Sequence, residues 1–357
     1  MLKESEWKMI NNILLELYMT ESIEDLASKF FKIIKTLIQY TSGYMLLLDK
    51  NKNIIITGGL GFIGSHIADE LIKDNNVTII DNLSSGKVEN LKNPAHENLT
   101  IIKNNLNDMN LDETFTDTDY IFHLAAMASV PLSVNDPIKC NDNNVNSTIK
   151  LLTAAKNQNV KKVIFSSSSA VYGNNANMPL KESELMMPTS PYAASKANCE
   201  LYLQAFEESY GLKSIALRYF NVFGPKQDKN SQYAAVIPNF IDAILNNEHP
   251  IIYGDGQQTR DFIFVKDVAK ANIAAAESNY TGPVNIATGE KLTVNRLYEI
   301  IADSMESNLE PVYVDKRKGD IEHSIADIDK MSEINFKADS SNFEKQINET
   351  IQWFKEN

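Results

Sequence analysis

Tyr192 and Lys196 lie four residues apart in the stretch SPYAASK, residues 190–196. On a helix this spacing puts a phenol and an ammonium on one face, one turn apart. Two readings are open: an ordinary exposed pair on a solvated face, or a proton-transfer pair with the phenol as base. A free phenol titrates near ~10, and bringing it down by ~3 takes ~4 kcal/mol of differential interaction. A lysine on the same face, held away from bulk water, is expected to supply much of that. The pair alone does not choose between the readings.

A second group with chemical meaning is TGGLGFIG, residues 57–64, where Gly58, Gly61 and Gly64 are spaced three apart. The run before it, NIIITGG, reads as a buried strand, and Ile63–Lys73 reads as a helix. A plain strand–turn–helix would satisfy that pattern. So would a phosphate cradle, in which glycines let a dinucleotide pyrophosphate approach the backbone and rest on the N–H groups and positive end of the helix. Asp81 favours the cradle: it ends the next strand, 20 residues after Gly61. A carboxylate at that distance reaches the adenosine ribose hydroxyls and repels a 2′-phosphate, so NAD is expected over NADP.

Both groups need elements to position them. After NIIITGG, the runs VTIIDN, LTIIKNNL, DYIFHLAA, KKVIFSSSS and KSIALRYFN read as strands, with helices around 144–157 and over 192–210. Strands alternating with helices imply βαβ units and a parallel sheet, and near-continuous apolar strands imply burial on both faces. The expected architecture is a Rossmann-like, doubly wound α/β sheet with a smaller α/β substrate-binding lobe. Residues 51–222 form the nucleotide-binding part, rejoined by about 258–290; 223–257 and 291–357 form the lobe, where Gly, Pro and Asn punctuate more often. Residues 1–50 stand apart as a short helical extension of unknown role. Ser22 is placed to cap a stretch in which Ile23, Leu26, Phe30, Ile33, Ile34, Leu37 and Ile38 follow helical spacing.

Composition excludes several classes. The 357 residues carry 47 acidic and 34 basic side chains, a formal charge of −13, which disfavours nucleic acid as a partner. No apolar run approaches the ~20 residues of a membrane span. The opening MLKESEWKMINN lacks the apolar core of a signal peptide. Two cysteines, Cys140 and Cys199, make no disulfide framework and fit a reducing cytoplasm. The five histidines show no metal-ligand spacing, so no metal is expected.

TGGLGFIG, DNLSSG, FHLAA, SSSSAVYG, SPYAASK, RYFNVFGP and TRDFIFV occur in that order. Together they resemble the extended branch of the short-chain dehydrogenase/reductases, above all the UDP-sugar 4-epimerases acting on UDP-glucose or UDP-N-acetylglucosamine. The resemblance covers residues 53–357. It implies that Tyr192 is the base, that Lys196 tunes it and holds the nicotinamide ribose, and that Ser168 hydrogen-bonds the sugar 4-hydroxyl. For the cofactor it implies Gly58, Gly61, Phe62, Ile63 and Gly64; Asp81, Asn82, Ser84, Ser85 and Gly86; Asn105 and Leu106 at the adenine; Leu124, Ala125 and Ala126 beneath the cofactor; Ala128; and Asn143 and Phe220 at the nicotinamide end. The family usually has aspartate where Asn105 stands, which changes the donor and acceptor pattern there. For the sugar nucleotide it implies Asn221, Arg260 and Arg317 at the diphosphate, Asp320 at the uridine ribose, and Val236 and Tyr253 near uracil. A homodimer through two helices per subunit is implied by the same likeness.

Two positions bear on the reaction and the sugar. Related 4,6-dehydratases carry Thr-Asp-Glu where this chain has Ser168, Ser169 and Ala170, and related decarboxylases keep a glutamate at Ala170. Without those carboxylates, oxidation at C4 is expected to be followed by simple re-reduction, which is epimerisation. Ser324, in KRKGDIEHS, stands where some members have a tyrosine that crowds an N-acetyl group at C2; serine leaves room. The rivals are a UDP-glucuronate 4-epimerase, which usually has threonine in place of Asn221, another NAD-dependent nucleotide-sugar oxidoreductase, and a non-catalytic NAD-sensing module, which would be expected to lack the tyrosine or the lysine.

Overall fold

The computed structural model describes residues 50–228, 236–316 and 322–357. Expectations placed on residues 1–49, including the Ser22 cap, and on Arg317 and Asp320 lie outside the described residues.

In chain order the first half runs β1 (Asn53–Thr57), α1 (Phe62–Leu71), β2 (Asn76–Asp81), β3 (Leu99–Lys103), α2 (Leu111–Thr114), β4 (Tyr120–His123), α3 (Val130–Asn135), α4 (Pro137–Asn141), α5 (Ser147–Asn157), β5 (Lys162–Ser168), α6 (Pro191–Tyr210) and β6 (Ser214–Tyr219). The second half runs β7 (Asn221–Phe223), α7 (Val236–Leu245), β8 (Ile251–Tyr253), β9 (Thr259–Arg260), β10 (Phe262–Phe264), α8 (Val265–Glu277), β11 (Gly282–Ile286), β12 (Leu292–Thr293), α9 (Val294–Ser304), β13 (Val312–Val314) and α10 (Phe343–Glu356).

Seven strands form one sheet in the order β11-β6-β5-β4-β1-β2-β3, every neighbouring pair parallel. This is the doubly wound sheet expected from the alternation of apolar runs and helices. Burial explains the near-continuous apolar strands. One face packs Ile55, Ile80, Ile121, Val163 and Phe165 against Leu151 and Leu152 of α5 and Cys199 and Leu203 of α6. On the other face α1 and α8 pack on one another. A second core unites Phe223, Phe240, Phe262, Phe264, Leu297, Ile301, Ile347 and Phe354, with Phe62 and Ile63 of α1 packed at its edge. Among the described residues, no helix is long and apolar enough to cross a membrane.

Two helices differ from their sequence reading for local reasons. α1 stops at Leu71 rather than Lys73, because the Asn75 side chain donates to the Leu71 carbonyl at 3.0 Å and closes the turn. The helix expected from 144 is regular only from Ser147; residues Asp142–Asn146 wind as a π-helical turn. There the Asn144 side chain accepts from the Met127 N–H at 2.7 Å and donates to Ser195 Oγ at 2.9 Å. The widened turn thus ties the loop after β4 to α6.

Candidate active site

The strand order reverses between β1 and β4, and open α/β sheets bind ligands in the crevice at such a point. The glycine turn lies there. Gly58 has φ +69°, and a Cβ on it would stand 2.7 Å from the Ala125 nitrogen in the loop after β4. A Cβ on Gly64 would stand 2.3 Å from the Gly58 carbonyl oxygen. Gly61 is the N-cap of α1, and no side chain caps this helix. Its first N–H groups therefore have no partner four residues back and leave the positive end of the helix free for an anion.

At the end of β2, the buried Asp81 carboxylate accepts from the N–H groups of Leu60 at 3.0 Å and Leu83 at 2.9 Å. Each oxygen retains a lone pair for a ribose hydroxyl. A Cβ on Gly86 would come within 2.8 Å of Asp81 Oδ2, so glycine here keeps the carboxylate in place. An open anion-binding turn with a buried carboxylate 20 residues after Gly61 fits a dinucleotide.

The other cofactor candidates fall around this crevice to differing degrees. Asn82, Ser84 and Ser85 follow Asp81 on the surface. Leu124, Ala125 and Ala126 continue β4, with the Leu124 and Ala125 N–H groups donating to Thr57 O and Thr57 Oγ1. Ala128 is exposed and Asn143 is half-buried in the π-helical turn. Asn105 spends its side-chain oxygen on the Asn107 N–H at 3.0 Å, capping a short 3-10 turn. Leu106 packs its side chain in the first core. Phe220 packs with Tyr172, Ala197 and Ala287.

The proton-transfer candidates converge. Ser190 caps α6 by accepting the Ala193 N–H at 3.1 Å, Pro191 supplies the first turn, and Gly211 ends the helix at φ +72°. This start places Tyr192 and Lys196 against the C-terminal end of β5. Ser168 is the side chain that bears on the Tyr192 hydroxyl in favour of ionisation, and its own hydroxyl accepts the Ala170 N–H at 3.2 Å. Lys196 Nζ donates to the Ser166 carbonyl at 2.7 Å and lies 4.7 Å from the Phe165 ring centroid.

Burial raises the Tyr192 phenol above its usual range, and the group that opposes the rise is Ser168, not Lys196. The ammonium is turned to the Ser166 carbonyl and stands 6.0 Å from the Tyr192 ring centroid. Burial lowers Lys196 itself to about 8, with Cys199, Cys140 and Glu200 working against the drop.

The sugar-nucleotide candidates are partly brought together. Asn221 Nδ2 donates to the Asp261 carbonyl at 2.9 Å. Arg260 Nη1 donates to the carbonyls of Thr259 at 2.9 Å and Glu322 at 3.3 Å. The buried Ser324 donates its N–H to Thr259 O at 3.1 Å. Asp261 anchors the group: its carboxylate accepts from Thr288 N–H and hydroxyl, Gly289 N–H and Ala326 N–H. Tyr253 ends β8 and Val236 opens α7 on the second core.

Residues overlooked in the sequence include Asn144, Asp261, Ser167, Glu200 and Arg218. Ser166 and Ser167 read as small polar residues at a strand end, yet Ser166 Oγ bonds the Tyr219 hydroxyl at 2.9 Å and Ser167 Oγ donates to Glu200. Glu200 carried a signal: it extends the four-residue spacing of Tyr192 and Lys196 by one more turn. Among the described residues, no cluster of three His, Cys, Asp or Glu could hold a metal.

Residues 54–287 match the family model of the NAD dependent epimerase/dehydratase family. A solved UDP-N-acetylglucosamine 4-epimerase from Methanobrevibacter ruminantium M1, in complex with UDP-N-acetylmuramic acid, is 64% identical with a TM-score of 0.86, covering 86% of this chain and 99% of that one. A putative UDP-glucose 4-epimerase of Methanocaldococcus jannaschii is 40% identical over 85% of this chain and 99% of its own length. A UDP-N-acetyl-alpha-D-glucosaminuronate decarboxylase of Bacillus cytotoxicus is 35% identical over 85% of this chain and 98% of its own. With the glycine turn and its Asp81 carboxylate at the switch point of the sheet, the chain belongs to the NAD dependent epimerase/dehydratase family.

Proposed function

We propose that this enzyme interconverts UDP-N-acetylglucosamine with UDP-N-acetylgalactosamine, and UDP-glucose with UDP-galactose, at C4 through a transient 4-keto sugar. The observation that carries the reading is Tyr192 facing Ser168 at a strand end whose next two residues, Ser169 and Ala170, have no carboxylate. Tyr192, directly or through Ser168, takes the 4-hydroxyl proton and later returns it. Lys196, buried beside them, holds the ribose hydroxyls. NAD, when bound, accepts hydride from C4 and gives it back. No residue at 169 or 170 is able to drive elimination or decarboxylation of the keto sugar, so re-reduction is the remaining outcome. Arginine at 260, with Arg317, Asn221 and Asp320, serves the diphosphate and ribose. The lobe built from 223–257 and 291–357 receives the nucleotide.

Ser324 supports room for the N-acetyl group, as does the 64% identity to a named UDP-N-acetylglucosamine 4-epimerase. Val134, Ile138 and Leu201, exposed on α3, α4 and α6, support a homodimer through this helical face. The test is incubation with UDP-N-acetylglucosamine, UDP-glucose and UDP-glucuronate, without added NAD, followed by separation of products. The first two should yield their 4-epimers, and Tyr192→Phe should lower kcat by roughly 10²–10⁴-fold. Ser324→Tyr should suppress turnover of the acetylated sugar and spare UDP-glucose. Turnover of UDP-glucuronate alone would replace this reading with the uronate one.

A further inference from the structure

Glu200 is an acid inside the protein, 8% exposed, on α6 one turn beyond Lys196. Arg218 of β6, 3% exposed, grips it with a fork: Nε to Oε1 at 3.0 Å and to Oε2 at 3.1 Å, and Nη2 to Oε2 at 2.6 Å. Burial works against the guanidinium charge, but the Glu200 bonds more than offset it and hold Arg218 above its usual range. A buried ion pair is a poor source of stability, because desolvating two charges offsets most of their attraction and apolar replacements often serve as well. Its location is therefore the informative feature.

Three residues of α6, each one turn apart, engage three consecutive serines of β5. Ser168 bears on the Tyr192 hydroxyl, Lys196 donates to the Ser166 carbonyl, and Glu200 accepts from the Ser167 hydroxyl. Arg218 is the β6 register partner of Ser167, so the fork clamps the middle serine from the neighbouring strand. Arg218 also reaches the other way. Nη1 donates to the Glu182 carbonyl at 3.2 Å, the Glu182 carboxylate accepts the Asn285 N–H at 2.8 Å, and Asn285 Nδ2 donates to the carbonyls of Leu180 at 2.8 Å and Asp327 at 3.0 Å. Leu180 bridges to Ala326, two residues past Ser324.

We propose that Glu200 and Arg218 are positioning residues for proton transfer: their ion pair locks the register of α6 against β5 and so holds Tyr192 on Ser168 and Lys196 on Ser166. The proposal rests on the acid/base reading of Tyr192. Three rungs set the register, and two of them are the proton-transfer groups themselves. The third makes no hydrogen bond to Tyr192 or Lys196, and by clamping Ser167 it keeps the other two aligned. A register error below an ångström at Tyr192 is enough to lower the rate, since a 1 Å misplacement can cost about 10²-fold.

The test removes both charges together. Glu200→Gln combined with Arg218→Gln removes both members of the fork and keeps an acceptor for Ser167, while the buried Glu182 and Lys196 each lose one charged neighbour. Circular dichroism and thermal melting should show a folded protein. Its kcat for UDP-N-acetylglucosamine should fall roughly 10–100-fold with KM unchanged, since alignment at the reacting atom is lost while nucleotide binding is not. Added to Tyr192→Phe, the same double change should lower kcat by less than it does in the wild type, because one of the two groups it aligns is gone. Arg218→Lys, which keeps the charge but not the fork, should give a smaller kcat loss at unchanged KM and serves if the double variant does not fold. A folded double variant or Arg218→Lys with wild-type kcat overturns the proposal, as does a loss that adds in full to Tyr192→Phe. Undiminished activity in Tyr192→Phe alone would instead overturn the acid/base reading, and this proposal with it.

Discussion

The types and spacing of Tyr192 and Lys196 admit a proton-transfer pair without selecting it, and the sign of their mutual influence does not follow from spacing. The helix face was legible; the direction of the Lys196 head group was not, because it depends on a carbonyl supplied by β5. Burial lowers Lys196 from 10.5 to about 8. Between those values the unfolded chain binds the proton and the native chain does not, so stability rises with pH across that window. Below pH 8 the charged group weighs against the fold by on the order of 3 kcal/mol. Lys196→Met should therefore be more stable relative to wild type at pH 7 than at pH 10.5, the gap shrinking by about that amount, while activity is lost. Urea unfolding of cofactor-free protein at the two pH values measures it; a gap independent of pH would contradict the assignment.

Elements show the same division between what is local and what is not. The cap of α6 was readable, since Ser190, Pro191 and Gly211 are local signals. The glycine turn was readable as a motif, although the reason for each glycine differs. Gly211 needs its φ of +72° and has nothing within 4 Å of an added Cβ, so Gly211→Ala should cost only ~1 kcal/mol and leave the cofactor bound. Gly64→Ala drives a Cβ to 2.3 Å from the Gly58 oxygen and 2.8 Å from Gly59 Cα, both backbone. The turn must shift, at a cost of ~1–3 kcal/mol or more, and α1 moves off the pyrophosphate. Loss of stability together with loss of co-purifying NAD is the expected result, read by unfolding and by nicotinamide content. The π-helical turn at Asp142–Asn146 had no such local signal, because its cause is a bond from Asn144 to Ser195, 51 residues away.

At the scale of the whole molecule, two buried histidines set the acid limit. Burial, with Lys196 adding to it, lowers His123 from 6.5 to about 3; burial, then Lys226, lowers His66 to about 4. From pH 6.5 down to those values the unfolded chain takes protons that the native chain refuses, so stability falls as pH falls through this range. His123→Leu should flatten that acid limb, removing on the order of 1.4 kcal/mol of lost stability for each pH unit crossed. The change lowers stability at every pH, because the buried Thr57 hydroxyl loses His123 Nδ1 as its acceptor, but Thr57 keeps the Ala125 N–H, Thr148 keeps the Asn144 carbonyl, and the slope with pH is read independently of that offset. Unfolding free energies at pH 7, 5.5 and 4.5 give the slope, and an unchanged slope would remove His123 as its source.

By itself the amino-acid order determined the parallel sheet, the glycine turn with its Asp81 partner, and the helix that carries Tyr192 and Lys196. Each is written in nearest neighbours: apolar periodicity, cap residues, and spacings of three and four. Tertiary structure alone decided which way Lys196 points, that Leu106 packs in the core, that Asp261 ties Ala326 and Gly289 together, and that Glu200 and Arg218 meet behind the serines of β5. Those contacts join residues far apart in the chain, and a charge acquires its pKa and its partner only when folding has removed the water around it.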